Sequence, residues 1–260
     1  MTLKSEVKYI QEILLNSWPA KEYFFLNGWI LRFTDGVTSR ANSVLPLNYN
    51  GNKNTIDRDI GIVENAYKIY GLPPIFTMHD YYEPKYLRSK LIEKGYEEVS
   101  FTTTMGAKVT DLNYLKVNND YNYEIHAYRT NEFNEFLAKY SKRPIEEQQI
   151  IKEICERINI PQKRFILAKD ESSVIGTTMG VLNVDYSLYI ADVLVKPNYR
   201  RRRIASSMLI KLIKEWAELN GVINIWLQVE NENEIAIKYY ENLGLKGLFN
   251  YYYLQKSLKS

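Results

Sequence analysis

The chain has 260 residues, of which 45% are hydrophobic and 25% charged, a composition typical of globular proteins with one large domain or two small ones. A formal net charge of +3 is too small to indicate a nucleic-acid partner, and the single cysteine, Cys155, excludes an intrachain disulfide and a multi-cysteine metal site. Because no stretch reaches the apolar length of a membrane span and the N-terminus lacks the apolar core of a signal peptide, we expect a cytoplasmic protein.

The first part of the chain predicts an alternation of helices and strands. Apolar residues at helical spacing indicate a first helix that ends before Pro19. The turn Asp35-Gly36 predicts a hairpin between strands at 28–33 and 41–47. The pattern then predicts a helix at 55–70, a strand at 74–79, a helix at 86–94 and a strand from 96 towards 109.

The run Asn118-Asn119-Asp120 interrupts the apolar pattern and is interpreted as a linker. Cys155 lies beyond it on one helical face with four isoleucines, which favours a buried packing thiol over a nucleophile. The second part of the chain predicts an α/β fold with a mixed sheet. Its predicted elements are a strand at 123–127, helices at 131–140 and 145–158, strands at 164–168, 174–182 and 189–195, a helix from 204 until Gly221, a strand at 223–229, a helix carrying Tyr240 and a closing strand at 251–256.

A basic turn, Arg200 to Arg203, joins the strand that ends at Val195 to the helix that begins near Ile204. A tight strand-to-helix turn points the first free N–H groups of the helix outward, where the helix dipole is positive. Together with four arginines, this favours a phosphate or pyrophosphate site. The alternatives are a solvated basic run and a nucleic-acid patch.

The sequence from Val195 to Ala205, Val-x-Pro-x-x-Arg-Arg-x-x-Ile-Ala, resembles the acyl-CoA pyrophosphate loop of the GNAT superfamily of N-acetyltransferases. That loop is usually written Gln/Arg-x-x-Gly-x-Gly/Ala, so Arg200 takes its first place and Ala205 its last. Arg203 stands where the family has the middle glycine, which lets the backbone approach the phosphates. If Arg203 has helical dihedral angles the backbone can adopt the loop, and crowding near the pyrophosphate is then expected to lower cofactor affinity.

A second element follows at the distance expected for that family. Asn233-x-x-Ala236-x-x-x-Tyr240-x-x-x-Gly244 resembles the family's Asn-x-x-Ala-x-x-x-Tyr-x-x-x-Gly helix, which flanks the cofactor thiol. Two such motifs in order, on an alternation of strands and helices, identify residues 119–260 as a catalytic GNAT acetyltransferase domain.

Residues 1–118 show a weak internal repeat of that domain. Placing Gly95 over Gly244 without gaps also sets Glu83 over Glu232 and Tyr96 over Leu245. We therefore predict a tandem of two acyl-CoA N-acyltransferase folds of the GNAT type, the first degenerate. Few identities support the alignment, so a chance similarity of two α/β patterns is the alternative.

The first half lacks the basic turn and has the polar stretch 48–54 in its place. Such a half suits a structural role or the shaping of an acceptor pocket rather than cofactor binding. Candidate lining residues on the predicted hairpin, which would suit a carboxylate or amide, are Trp29, Arg32, Arg40, Asn42 and Ser43. An exposed hairpin with no ligand is the other interpretation.

The resemblance implies a role for each matched residue. The last backbone N–H groups of the strand, those of Leu194 and Val195, would bind the thioester, and Tyr240 would protonate the departing thiolate. Asp192 on the same strand and Glu230 at the end of the next are alternative general bases. The residues implied in binding the rest of the cofactor are Arg200, Arg201, Arg202, Arg203, Ile204, Ala205, Asn233 and Ala236. No metal is expected.

The predicted function is transfer of an acetyl group from acetyl-CoA to a primary amine by direct attack, without a covalent enzyme intermediate. The acceptor is expected to be a small-molecule or peptide amine, with neither nucleic acid nor membrane as a partner, and a homodimer is left open. The alternative function is that of a non-catalytic acyl-CoA-binding sensor or scaffold, in which Arg203 and the degenerate first half mark the loss of catalysis.

Overall fold

The chain forms two compact units in a computed structural model that describes residues 3–114 and 116–257. The first unit comprises Met1–Thr104, Glu230–Glu232 and Leu248–Ser260, and the second comprises Met105–Val229 and Asn233–Gly247. None of the helices in the described residues combines the length and the apolar character needed to cross a bilayer. Those residues also contain no cluster of three or more His, Cys, Asp or Glu side chains that could hold a metal ion.

Helices and strands alternate along the described chain, as the sequence predicts. The helices are α1 (Leu3–Ser17), α2 (Ile56–Ile69), α3 (Leu87–Glu93), α4 (Asn131–Tyr140), α5 (Ile145–Glu156), α6 (Ile204–Leu212) and α7 (Glu234–Leu243). The strands are β1 (Glu22–Leu26), β2 (Trp29–Phe33), β3 (Ile75–His79), β4 (Glu97–Lys108), β5 (Asn122–His126), β6 (Gln162–Asp170), β7 (Ser173–Leu182), β8 (Ser187–Val195), β9 (Asn224–Glu230) and β10 (Lys246–Gln255).

The hairpin of the first unit differs from its prediction. Strand β2 pairs along its whole length with β1 and meets residues 41–47 only at the antiparallel bridge Ile30–Leu45, and the turn between β1 and β2 is Asn27-Gly28 with φ angles of 46° and 86°. Two adjacent residues with positive φ form the tight turn whose twist matches that of paired strands, and Asn-Gly is its strongest sequence signal. Segment 41–47 contributes isolated bridges instead, Ile30 to Leu45 and Val44 to Phe76. The predicted pairing of 28–33 with 41–47 is therefore reduced to one bridge, because Asn27-Gly28 and not Asp35-Gly36 is the turn of the hairpin.

The sheet of the first unit has the strand order β3-β10-β4, with β3 and β10 antiparallel. Helix α2 covers one face of this sheet, because Ile60, Val63 and Tyr67 recur at helical spacing and pack in one buried cluster with Phe76 and Met78. Complete burial of each such side chain contributes roughly 1.5–3 kcal/mol to folding.

Polar residues that we expected to line a pocket lie inside the first unit. Arg32 is 2% exposed, and its guanidinium donates to the Ser43 carbonyl at 2.9 Å and to the hydroxyls of Ser43 and Thr77. The Asn42 side chain accepts from the backbone of Thr34 and Gly36 and is itself 3% exposed. These hydrogen bonds hold the loop that contains Asn42 and Ser43 against β2 and β3.

The start of helix α2 holds an internal carboxylate. Asp59, with a fully buried side chain, accepts hydrogen bonds from Asn27 Nδ2 and the Tyr49 hydroxyl, each at 2.8 Å, and pairs with Arg58 at 2.9 Å. A carboxylate in the first turns of a helix satisfies the positive dipole end that would otherwise attract an external anion.

The sheet of the second unit has the order β9-β8-β7-β6-β5. Neighbours from β5 to β8 are antiparallel, whereas β8 and β9 are parallel. Helix α6 packs on this sheet through Ile204, Met208 and Leu212, all 1% exposed or less. It approaches closely because β7 has glycines opposite it: a Cβ on Gly176 would meet Met208 Cε at 3.0 Å, and one on Gly180 would meet Leu212 Cδ2 at 2.9 Å.

The two units share the local feature on which the internal repeat was aligned. Helix α3 is followed by Gly95 with φ of 83°, and helix α7 is followed by Gly244 with φ of 106°. In each case a strand begins two residues later, β4 after Gly95 and β10 after Gly244. Left-handed glycine is a common helix terminator, so the aligned glycines perform the same local task.

Candidate active site

Strand β8 carries a bulge close to its end. Its pairing with β7 shifts by one residue between the pair Met179–Ala191 and the pair Thr177–Leu194, so β8 has one extra residue there. Asp192 lies in the bulge with a left-handed φ of 53°. The carbonyls that a bulge leaves unpaired are satisfied by β7, because Thr177 Oγ1 donates to the Asp192 carbonyl at 3.1 Å and Thr178 Oγ1 to the Ala191 carbonyl at 3.3 Å.

The bulge reverses the direction of the peptide groups that follow it. Before the bulge, the backbone N–H and C=O groups of the odd-numbered residues of β8 point towards β7, as the hydrogen bond from Asn183 N to Ser187 O shows. After the bulge the even-numbered residues do, because Lys196 N donates to Ile175 O at 2.9 Å. The N–H of Val195 therefore points away from β7, whereas that of Leu194 points towards it.

Strands β8 and β9 are paired along only part of their length. Their parallel pairing runs from Ser187–Asn224 to Ile190–Leu227, although β8 continues to Val195 and β9 to Glu230. The unpaired side of β8 after the bulge is the side to which the Val195 N–H points. Polar backbone groups are thus available for a ligand at the carboxyl ends of two parallel strands.

The basic turn has two residues in the left-handed region, Arg201 and Arg203, each with φ of 61°. Arg203, directly before α6, therefore does not have the right-handed helical angles under which we expected it to fit the loop. Its conformation is the one in which glycine is unstrained, and an L-residue there costs roughly 1–2 kcal/mol. The family glycine has a physical reason at this position, and Arg203 adopts the same backbone with strain.

The four arginines of the turn form no ion pair with any carboxylate in residues 3–114 and 116–257. Arg202 contacts the protein instead: its Nη1 lies 3.2 Å from the Tyr121 hydroxyl, and its guanidinium lies over the Tyr199 ring. The predicted linker is fastened to the same turn, because Asn118 Nδ2 donates to the Arg202 carbonyl at 3.1 Å. Positive charge without an ion-pair partner, beside the first turn of a helix, is suited to bind an anion.

Helix α7 begins with a side-chain cap, because Asn233 Oδ1 accepts from Ala236 N at 3.2 Å. Tyr240, 8% exposed, belongs to the buried cluster against which Val195 and Ala236 pack. Burial raises the pKa of Tyr240 well above its ordinary value, so the phenol stays protonated at neutral pH. Its neighbour Tyr239 is engaged elsewhere, with its hydroxyl 3.1 Å from Ser206 Oγ on α6.

The two candidate bases have different surroundings. Asp192 Oδ2 accepts a hydrogen bond from Arg129 Nη1 at 2.6 Å, in an ion pair whose arginine side chain is 1% exposed. Glu230 ends β9, is exposed, and makes no ion pair within the described residues. One carboxylate is therefore held by the protein and the other is open to solvent.

Arg129 is the residue of this site that the sequence did not single out. It lies in the loop between β5 and α4, where no motif or periodicity marks it. Arg129, Cys155 and Phe165, all buried, lie along an open cavity of about 590 Å³ in the second unit. Cys155 is a free buried thiol, as predicted, and burial raises its pKa to about 11.

A bulged strand parts from its parallel neighbour, a cationic turn precedes a helix, and a second helix carries a buried tyrosine. This is the arrangement that the sequence led us to expect of an acyltransferase. Residues 122–245 match the family model described as "Acetyltransferase (GNAT) family", and residues 4–111 match one described as "Probable histone acetyltransferase Rv0428c C-terminal". Residues 122–245 thus match the GNAT family, and the relatives support an acyl-CoA-dependent N-acetyltransferase in two parts.

Relatives of known sequence or structure match both parts. The uncharacterized N-acetyltransferase YobR of Bacillus subtilis is 27% identical over 95% of this chain and 98% of its own length. The structure of a GCN5-related N-acetyltransferase from Kribbella flavida matches with a TM-score of 0.72 at 12% identity, covering 100% of this chain and 97% of that one. A tandem GNAT protein from the clavulanic acid biosynthesis pathway matches with a TM-score of 0.60 at 9% identity, over 81% of this chain and 73% of its own. The predicted tandem GNAT fold is confirmed.

Proposed function

We propose that the protein transfers the acetyl group of acetyl-CoA to a primary amine by direct attack. The observation that carries the proposal is the parting of β8 from β9 beyond Ile190–Leu227, directly before the basic turn and the start of α6. The turn supplies cations and free N–H groups for a pyrophosphate, and the parted strand supplies N–H groups for a thioester. Acetyl-CoA contributes the activated acyl group and a thiol leaving group.

The pyrophosphate is assigned to the turn and the first turn of α6. The residues proposed for it are Arg200, Arg201, Arg202, Arg203, Ile204 and Ala205, with Asn233 and Ala236 on α7 contacting the rest of the cofactor. The first four N–H groups of an α-helix have no partner within the helix, so Ile204 and Ala205 offer donors at a positive dipole end. The nitrogen of Ser207, further along, already donates to the Arg203 carbonyl.

The thioester carbonyl is assigned to the N–H groups at the end of β8. Of the two that we expected to serve, that of Val195 has the suitable direction, since Leu194 faces β7. A backbone donor of this kind, well placed for an oxyanion, stabilises the transition state by roughly 3–4 kcal/mol.

Proton transfers are assigned to Tyr240 and to one carboxylate. Tyr240 is proposed to protonate the thiolate, because its buried phenol is neutral and available as a donor. Glu230 is the better base of the two candidates, because Asp192 Oδ2 is already occupied by Arg129. Either carboxylate could accept the amine proton through a water.

Thermal unfolding with and without acetyl-CoA tests the cofactor, since a ligand at 100 times its dissociation constant adds about 2.7 kcal/mol of stability. A rise in Tm followed by release of free thiol in the presence of a panel of amines and short peptides is the expected result. A rise in Tm without thiol release for any amine would favour the non-catalytic sensor, and no rise at millimolar acetyl-CoA would overturn the assignment of the turn.

A further inference from the structure

The bulge of β8 is held by a hydrogen-bonded group that reaches it from outside the sheet. Arg129 Nη1 donates to Asp192 Oδ2 at 2.6 Å, and Asp192 is the left-handed residue of the bulge. Left-handed backbone is strained for a residue with a Cβ, so it persists where surrounding contacts stabilise it. The ion pair is such a contact, and its guanidinium is almost fully buried.

Each nitrogen of the Arg129 guanidinium donates a hydrogen bond to another side chain of the protein. Its Nε donates to Asn134 Oδ1 at 2.6 Å, its Nη2 donates to Gln148 Oε1 at 2.7 Å, and its plane lies over the Phe133 ring with 4.7 Å between Cζ and the ring centroid. Asn134 and Gln148 are buried and belong to α4 and α5. The planar five-donor geometry of arginine serves three acceptors at fixed angles, which a lysine cannot do.

We propose that Arg129 is a positioning residue that acts through Asp192, fixing the bulge so that the Val195 N–H points to the acyl carbonyl of the bound thioester. The inference rests on the proposed function, because it takes the thioester to lie along the unpaired end of β8. The direction of this N–H depends on one extra residue in the strand. In a strand without the bulge, the Val195 N–H would point towards β7, because the backbone groups of the odd-numbered residues do so up to Ala191.

In this arrangement acetyl-CoA makes two separate contacts with the protein. The pyrophosphate is bound by the basic turn and α6, whereas the acyl carbonyl is bound by the end of β8. Coenzyme A carries the first group alone and acetyl-CoA carries both. The ratio of their affinities therefore reports the contact of the carbonyl, and the affinity of coenzyme A alone reports the turn.

The experiment measures binding of coenzyme A and acetyl-CoA by calorimetry to the full chain and to Arg129→Met. We expect unchanged affinity for coenzyme A and a loss of roughly three- to tenfold in the preference for acetyl-CoA, the range of one net hydrogen bond. Arg143→Met is the matched control, because Arg143 lies in the same unit, has a 47% exposed side chain and pairs with Glu147. It should leave both affinities unchanged.

A second variant distinguishes positioning from direct contact, and binding of coenzyme A shows in both variants that the chain is folded. Glycine adopts a φ of 53° without strain, so Asp192→Gly combined with Arg129→Met should keep the bulge without the ion pair. We expect this double variant to regain the preference for acetyl-CoA. An unchanged preference in Arg129→Met, or a double variant that binds coenzyme A but does not regain the preference, would overturn the role of Arg129. Failure of the wild-type chain to bind coenzyme A would instead overturn the proposed function.

Discussion

The hydroxyl of Tyr239 lies 3.1 Å from Ser206 Oγ and so connects α7 to α6. Tyr240, the next residue, packs into the buried cluster of the second unit with its ring centroid 5.1 Å from that of Tyr239. The adjacent tyrosines therefore have different surroundings, since the Tyr239 hydroxyl joins two helices whereas Tyr240 packs in the buried cluster.

Replacing Tyr240 by Phe is expected to lower kcat by about 100-fold, the lower range for loss of a general acid, because the thiolate then leaves without a proton from the enzyme. Affinity for acetyl-CoA should change little, since the ring is retained. Steady-state release of thiol measures the first quantity and calorimetry the second. Tyr239→Phe is the control and should keep turnover while losing roughly 0.5–1.5 kcal/mol of stability with the hydrogen bond to Ser206. Equal turnover in wild type and Tyr240→Phe would remove Tyr240 from the mechanism.

Arg203→Gly is expected to relieve backbone strain, because residue 203 has φ of 61° and glycine alone adopts this angle freely. Arg203→Ala is the matched variant, since it removes the same charge and keeps the strain. The glycine variant should be more stable than the alanine variant by about 1 kcal/mol in urea unfolding. It should also bind acetyl-CoA more tightly than the alanine variant does. Equal stability of the two variants would mean that the turn is not left-handed in solution.

The sequence was most informative where local spacing decides structure. Val195, Arg200 and Ala205 at fixed distances predicted a strand, a turn and a helix start, and β8 and α6 lie there. Apolar periodicity also placed the helices, because one face of each must be buried. These features depend on neighbours within a few residues along the chain.

Long-range contacts were not predictable in this way. The ion pair of Arg129 with Asp192 joins residues that are 63 apart in the sequence. The bulge requires no particular residue type, so a single sequence does not reveal it. The burial of Arg32 and Asn42 likewise depends on which segments meet in the folded unit. Hairpin β1–β2 is a different case, since the Asn27-Gly28 signal was present and Asp35-Gly36 was preferred to it.

Arg200→Ala and Arg202→Ala are each expected to weaken binding of coenzyme A by about tenfold or more, because a charge-assisted hydrogen bond contributes roughly 1.5–3 kcal/mol. The loss should be the same for coenzyme A lacking its 3′-phosphate if the turn contacts the pyrophosphate. Added salt should weaken binding less in the variants, which carry one cation fewer. Arg143→Ala serves as an exposed control from the same unit. Titrations unchanged by both substitutions would count against a pyrophosphate site at the turn.

His79 is expected to make the stability of the protein depend on pH. It is 1% exposed, its Nδ1 accepts from Tyr81 N at 3.2 Å, and burial together with the charges of Lys8 and Lys85 lowers its pKa to about 3. The unfolded chain takes up a proton on this histidine below about pH 6.5, whereas the folded chain does not until about pH 3, so acid favours unfolding. The contribution is fully present above pH 6.5 and is lost as pH falls, by about 1.4 kcal/mol per pH unit.

Replacing His79 by Gln removes this titration and offers an oxygen to the Tyr81 nitrogen. Urea unfolding of both proteins between pH 7.5 and about pH 4.5 measures the effect, since most carboxylates stay ionised over that range. We expect the free energy of unfolding of the wild type to fall below pH 6.5 relative to that of His79→Gln, whatever the offset between them at pH 7.5. Parallel curves would show that His79 takes up its proton equally in both states, and hence that the first unit does not keep this imidazole neutral.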